Sequence, residues 1–287
     1  MRAATRMVLT RFAAALVAPI LLATAAAQAH ANEEVPFITT PDPVAQAMLE
    51  LARVNRRDYV IDLGSGDGRI VILAAKRFGA RGLGVEIVPD LVRRSVSNAQ
   101  RAGVSRRVEF REQDLFKTDL SAATVITMYL LPEVNLQLRP ALLALKPGTR
   151  IVSHDWDMGD WAPDRTMTLD VPTKVIGREK LSRVHLWVVP ARVDGLWCSA
   201  GKSHEMSLRV VQTFQSFRAE FLGPMPVPAI DGLVIGRRLA ITRRGADDLQ
   251  FAAIGNKLRV TRARGNFAPL VVRVFERAAG DACGSAR

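Results

Sequence analysis

The stretch from Asp58 to Ile70, Asp-Tyr-Val-Ile-Asp-Leu-Gly-Ser-Gly-Asp-Gly-Arg-Ile, constrains this chain more than any other. Tyr59, Val60, Ile61 and Leu63 form an apolar run suited to a strand buried on both faces. Asp62 lies within that run, and Gly64, Gly66 and Gly68 follow at alternate positions. Residues 69–78 then read as a helix that Gly79 closes. Glycine lets a backbone turn tightly and lie against a ligand, because no side chain stands in the way. Strand, glycine turn and helix in this order build the crevice of a doubly wound α/β sheet. The dinucleotide fingerprint G-x-G-x-x-G requires a third glycine where this chain has Arg69, so the pattern here is a different one.

The alternation of strand and helix continues. A helix over residues 44–54 precedes the glycine stretch. After it come a strand over 82–87, a helix over 90–102, a strand over 104–110, and the turn Gln113-Asp114-Leu115. Glu86 ends its strand about 20 residues beyond the turn, where the crossover brings an acid onto a ribose diol. Residues 123–131 read as a fourth strand with Tyr129 in its terminal stretch, 134–145 as a helix, and 149–154 as a fifth strand. A cluster of acids and aromatics follows: His154, Asp155, Trp156, Asp157, Asp160 and Trp161. Residues 167–171 and 184–189 read as a closing antiparallel pair at the sheet edge. Beyond Pro190 the pattern changes to short β-rich runs at 196–199, 206–214, 217–221, 233–235, 239–242, 257–261 and 269–275. Regularly spaced short strands imply a small barrel or sandwich. The expected organisation is a targeting segment over 1–31, a doubly wound domain over 32–190 and a β-rich accessory domain over 191–287.

Arg2, Arg6 and Arg11 precede an uncharged Ala- and Leu-rich run, and Ala29-His30-Ala31 matches an A-x-A cleavage site. This reads as a secretory signal, hence an exported or periplasmic protein. An uncleaved membrane anchor and an Arg-rich mitochondrial presequence are the alternatives, and membrane contact is expected only through this segment. The net charge of +12 favours anionic partners or simply solubility. The basic residues are dispersed without an aromatic ladder, so no specific nucleic-acid binding is expected. The two cysteines, Cys198 and Cys283, lack metal-ligand spacing; a disulfide and two free thiols both stay open.

Taken together, Asp62 to Arg69, Glu86, Gln113-Asp114-Leu115 and the Tyr129 region resemble motifs I to III and the site after strand four of class I, seven-strand, S-adenosylmethionine-dependent methyltransferases. The resemblance covers roughly residues 35–165. Pro36-Phe37-Ile38-Thr39-Thr40-Pro41 and Asp114-Leu115-Phe116-Lys117 narrow it to the protein-lysine methyltransferases of mitochondria, with a more distant likeness to Dot1-like enzymes. It implies S-adenosyl-L-methionine as cofactor, held by Asp62, Gly64, Ser65, Gly66, Asp67, Gly68, Glu86, Ile87, Asp114, Leu115 and Tyr129, with Phe37 and Thr40 as a cover. It implies a protein or small-molecule methyl acceptor and no metal. Tyr129, His154, Asp155 and Trp156 are the acceptor-side catalytic candidates, with Trp161 beside them; His154 and the tryptophans also read as packing residues. An envelope binding protein that keeps the fold without catalysis is the competing function.

Overall fold

The computed structural model describes residues 38–174, 180–200, 206–223, 228–242 and 245–283. Phe37 and the targeting segment expected over 1–31 lie outside the described residues. Alternating helices and strands build the first layer set. They are α1 (Asp42–Leu51), β1 (Tyr59–Leu63), α2 (Arg69–Phe78), β2 (Arg81–Glu86), α3 (Pro89–Arg101), β3 (Val108–Glu112), β4 (Val125–Met128), α4 (Pro132–Leu143), β5 (Arg150–His154), β6 (Arg165–Asp170) and β7 (Leu181–Val188), the last two being the edge pair. The sheet order is β3-β2-β1-β4-β5-β7-β6. β1 to β5 pair in parallel, while β7 runs antiparallel to both β5 and β6. The strand order reverses between β1 and β4, and the ligand crevice of such a sheet opens at that point.

Burial on both faces explains the largely apolar composition of β1 and β4, in which the polar exceptions Asp62 and Thr127 bond to each other. Val60, Val125 and Val152 face one side with Val44, Met48 and Leu51 of α1. Ile61, Leu63, Ile126, Met128 and Ile151 face the other, with Leu138 and Leu142 of α4. β4 is shorter than the expected 123–131, because Pro132 starts α4 and holds Leu131 extended as its N-cap. Tyr129 and Leu130 therefore lie beyond the strand, on the carboxyl edge. Residues 155–164 join β5 to β6 as a loop, pinned by a Met158–Trp161 bridge.

The β-rich tail is a closed barrel. Its strands are β8 (Gly195–Ser199), β9 (Ser207–Thr213), β10 (Ser216–Leu222), β11 (Ile230–Ile235), β12 (Arg238–Ile241), β13 (Asp248–Ile254), β14 (Lys257–Arg264) and β15 (Val274–Arg277). Each pairs antiparallel with the next, and β15 closes onto β8. Alternation sets the two faces: Phe217, Ala219 and Phe221 of β10 point inward, and Arg218 and Glu220 outward. Trp197, Phe251, Phe275, Leu249 and Leu258 fill the interior, as expected where about eight strands close on themselves. A Cβ on Gly232 would lie 2.6 Å from the Phe217 ring and 2.3 Å from the Ala240 carbonyl, so the glycine makes room for that filling. Two expectations are corrected here. Residues 248–254, unassigned in the sequence, are β13; residues 269–275 are not one strand, because a 3-10 turn (Gly265–Leu270) buries Phe267 and Leu270 in the barrel before β15 starts. Cys198 of β8 and Cys283 beyond β15 form a disulfide.

Barrel and sheet meet through side chains. Phe214, in the β9–β10 turn, stacks on Trp161 with ring centroids 6.2 Å apart, and the Arg139 guanidinium lies over its ring. Gln215 donates to the Ala162 carbonyl at 2.6 Å.

Candidate active site

The turn after β1 is built by its three glycines. Gly64, Gly66 and Gly68 have φ of 71°, 54° and 79°, left-handed values that glycine adopts without a steric penalty. A Cβ on Gly68 would lie 2.7 Å from the Phe110 ring, and Gly84 faces the same ring, so β3 packs tightly under the turn. Ser95 of α3 donates to the Gly66 carbonyl at 2.8 Å, and Asn98 to the Asp67 carbonyl at 2.8 Å.

The two acids of the motif differ in their surroundings. Asp67 receives a bidentate grip from Arg69, Nε to Oδ1 at 2.9 Å and Nη2 to Oδ2 at 2.7 Å. Burial raises the Asp67 carboxyl, but these hydrogen bonds and the guanidinium charge outweigh it and hold the group below its ordinary value. Asp62 is buried and accepts from the Thr127 hydroxyl at 2.6 Å. Burial, reinforced by the charges of Glu86 and Asp67, pushes its carboxyl up to about 8 despite the Thr127 bond. Of the two acids expected at the cofactor, Asp67 is already matched by Arg69, whereas Asp62 has Thr127 as its side-chain partner. Arg69 has a second function: its Nη1 donates to the Thr40 carbonyl at 3.0 Å and ties the lead-in to the turn.

Glu86 closes over the glycine turn. Its Oε2 accepts from Gly66 N–H at 2.9 Å, and its Oε1 from Ile87 and Val88 N–H at 2.9 and 3.1 Å. A carboxylate offers about four acceptor sites, so one remains after these three bonds. Ile87 is 68% exposed beside it, an apolar surface facing solvent. Asp114 caps the short 3-10 turn (Leu115–Lys117) by accepting from Phe116 N–H at 2.9 Å, and Leu115 packs half-buried against the core.

A cofactor carrying an ammonium group and an adenosine finds matching features in these residues. Among the described residues, Asp62 has no cation beside it and the buried Ser65 hydroxyl has no hydrogen-bond partner. The glycine turn leaves backbone open to a close approach. Asp62 would meet the ammonium, Glu86 the ribose hydroxyls, and Ile87 and Leu115 the adenine.

Beyond β4 and β5 lies a second cluster. The Tyr129 and His154 rings stack with centroids 3.9 Å apart. The Tyr129 hydroxyl bonds to Asp155; burial first, then the Asp155 charge, push the phenol up to about 12. His154 is fully buried. Its Nδ1 lies 3.4 Å from the Thr40 hydroxyl and its Nε2 3.0 Å from that of Ser182. Burial, more than the neighbouring Asp155 charge offsets, lowers the imidazole to about 4, so it is neutral at ordinary pH. This corrects the expectation of His154 touching the acceptor: both nitrogens are engaged, and it positions Tyr129, Thr40 and Ser182. Thr40 is thus held at both ends, by Arg69 and by His154. Asp155 has φ of 62°, a strained value for a residue with a side chain. It is fixed by exchanging bonds with Arg183: Asp155 N–H donates to the Arg183 carbonyl at 2.7 Å, and Arg183 N–H to Asp155 Oδ1 at 2.9 Å. Lys174 reaches its Oδ2 at 2.7 Å. Trp156 is 43% exposed, its carbonyl and that of Asp157 held by Asn135. Of the two readings open for Trp161, packing holds: it is fully buried, and its carbonyl accepts from Trp187 Nε1.

Sequence reading did not single out Thr127, Ser95, Asn98, Ser182 or Lys174. For Thr127 a signal existed, a polar residue inside an otherwise apolar buried strand; for the others only the folded contacts identify them.

Residues 62–165 match the ANTKMT methyltransferase domain family. A protein-lysine N-methyltransferase of Saccharolobus islandicus is 43% identical over 155 residues, 51% of this chain and 96% of that protein. The adenine nucleotide translocase lysine N-methyltransferase of Mus musculus is 37% identical over 132 residues, 45% of this chain but 57% of that protein, so the match spans just over half of the mouse enzyme. The crystal structure of an RNA methyltransferase from Salinibacter ruber with S-adenosyl-L-homocysteine aligns at a TM-score of 0.50 with 54% identity, covering 54% of this chain and 96% of that one. The order of the sheet, the glycine turn with its acids and these likenesses lead to one assignment: the chain belongs to the class I S-adenosylmethionine-dependent methyltransferases, in the family of the protein-lysine N-methyltransferases.

Proposed function

We propose that this methyltransferase acts on lysine amines of a protein. One observation carries the reading: a half-buried aromatic, Tyr129, and a carboxylate, Asp155, are bonded together at the carboxyl edge beside the cofactor turn. An aromatic face and a carboxylate suit a cationic amine. The 43% identity to a protein-lysine N-methyltransferase supports it. S-adenosylmethionine supplies a methyl group already activated on a sulfonium. Transfer then depends on alignment and exclusion of water, which is the protein's part. Asp62, Ser65 and the glycine turn hold the amino-acid end, and Glu86 the ribose. A lysine amine has a reference pKa of about 10.4 and must shed a proton before it attacks. In this reading Asp155 takes that proton and Tyr129 orients the amine.

Calorimetry with S-adenosylmethionine tests the site. Binding is expected in the wild type and its loss in Asp62→Ala and Glu86→Ala; no heat with the wild type sinks the reading. A second reading, an RNA acceptor, is motivated by the 54% identity to the Salinibacter ruber structure. Label transferred to RNA, with none in protein, decides for it. The non-catalytic envelope reading is not favoured, because the glycine turn and both ligand acids are intact.

We infer further that the chain is exported. The signal-like residues 1–31 motivate this, and the Cys198–Cys283 bond supports an oxidising compartment. Fractionation of a tagged chain tests it; recovery of uncleaved protein with reduced thiols in the cytoplasm overturns it.

A further inference from the structure

We propose that Lys174 is a self-methylation site of this enzyme. The proposal rests on the acceptor-side reading of Tyr129 and Asp155 given above. β6 runs in the same direction as β5, so the connection from β6 to β7 starts at the carboxyl edge of the sheet, where the acceptor must enter. Lys174 lies in that connection. Its Nζ sits 2.7 Å from Asp155 Oδ2 and donates to the Leu181 carbonyl at 2.5 Å, and its side chain is only 12% exposed. The Asp155 carboxylate is thereby shared among the Lys174 ammonium, the Tyr129 hydroxyl and the imidazole Nε2 of His154, which lies 3.4 Å from Oδ2. A primary alkylammonium thus already occupies the groups that the reaction needs for an incoming lysine. The same groups connect back to the cofactor turn through His154, Thr40, Arg69 and Asp67.

An ion pair on the protein surface contributes little, so a lysine held this deep against a backbone-strained aspartate is unusual for a solubilising charge. Lysine suits the role because its four-carbon stem is flexible and its single nitrogen can release the carboxylate and turn toward a donor. In the step, the ammonium gives one proton to Asp155, which passes it to solvent. The freed nitrogen lone pair forms the N–C bond to the methyl carbon. The S–C bond breaks with its electron pair kept on sulfur, leaving S-adenosyl-L-homocysteine. The methylated amine carries its positive charge as before, so it can return to Asp155.

Peptide mass spectrometry of the full chain, as purified and after incubation with S-adenosylmethionine, tests this. Methyl groups on Lys174 are expected in both samples, with occupancy rising on incubation at a rate per molecule independent of protein concentration. Lys174→Arg keeps the cation but not the lysine amine; it is expected to lose the label while retaining the heat of cofactor binding. Cofactor binding with Lys174 unmodified, or equal label in Lys174→Arg, overturns self-methylation and leaves the lysine methyltransferase reading standing. A rate that rises with protein concentration overturns transfer within one chain. Absence of cofactor binding overturns both readings together.

Discussion

Asp62 and His154 titrate in opposite senses, and their sum shapes the pH dependence of the ligand-free protein. The folded Asp62 carboxyl stands near 8 against 3.8 for a free one, so the folded state binds the extra proton between those values. Its effect is loss of stability as pH rises from about 4 to about 8. Folded His154 stands near 4 against 6.5, so its stabilisation is complete above 6.5 and is lost as pH falls toward 4. Between 4 and 6.5 the two slopes cancel; from 6.5 to 8 only the Asp62 slope remains. At about 1.4 kcal/mol per pH unit, these two groups flatten stability below pH 6.5 and cost about 2 kcal/mol by pH 8. Denaturant titrations at several pH values should show this, and Asp62→Asn should remove the decline above 6.5. A second outcome follows for binding. If Asp62 meets the cofactor ammonium, it ionises on binding, and one proton leaves near pH 7. The calorimetric heat should then vary with the ionisation enthalpy of the buffer; a heat independent of buffer excludes that contact. None of this was legible from one sequence: Asp62 and Asp67 look alike there, and only burial and the position of Arg69 separate them.

The glycine turn is the element whose requirements are most local, and it was the most legible. Gly68 and Gly103 both have positive φ, but a Cβ on Gly68 meets Phe110 while one on Gly103 meets nothing within 4 Å. Gly103→Ala should therefore cost about 1 kcal/mol from conformation alone. Gly68→Ala should cost about 2–4 kcal/mol, because overpacking is added, and it should abolish cofactor binding. Melting curves of the two variants beside the wild type check the difference. β13 shows where local reading stops. It carries two alanines, and its pairing with β14 shifts register between Gln250 and Phe251, so its alternation is weak in sequence. Residues 269–275 misread for a related reason: Leu270 is apolar because it plugs the barrel from the end of a 3-10 turn, not because it alternates along a strand. The lead-in at Thr40 is held by partners at Arg69 and His154, and the latter is 114 positions away, beyond any local pattern.

At the scale of the molecule, the sheet and barrel are joined by an aromatic contact rather than by chain connectivity alone. Phe214 bridges Trp161 and Arg139, so Phe214→Ala should destabilise the protein by about 2 kcal/mol through lost packing and cation–π attraction. Calorimetric melting should show the lowered transition; an unchanged curve denies the contact any energetic part. The order of the parallel sheet was readable because each βαβ unit declares itself locally, whereas closure of the barrel requires β8 and β15 to meet across most of the tail. Among the described residues no helix is long and apolar enough to cross a membrane.

The Cys198–Cys283 bond, set at the first and beyond the last barrel strand, encloses every barrel hairpin in one covalent loop of sequence separation 85. A protease that cuts a single barrel hairpin therefore cannot release a fragment. The nicked protein should migrate as one band in non-reducing electrophoresis and as two once the sample is reduced. In a compartment rich in proteases, the barrel would tolerate one cut in any of its turns and still hold its strands together.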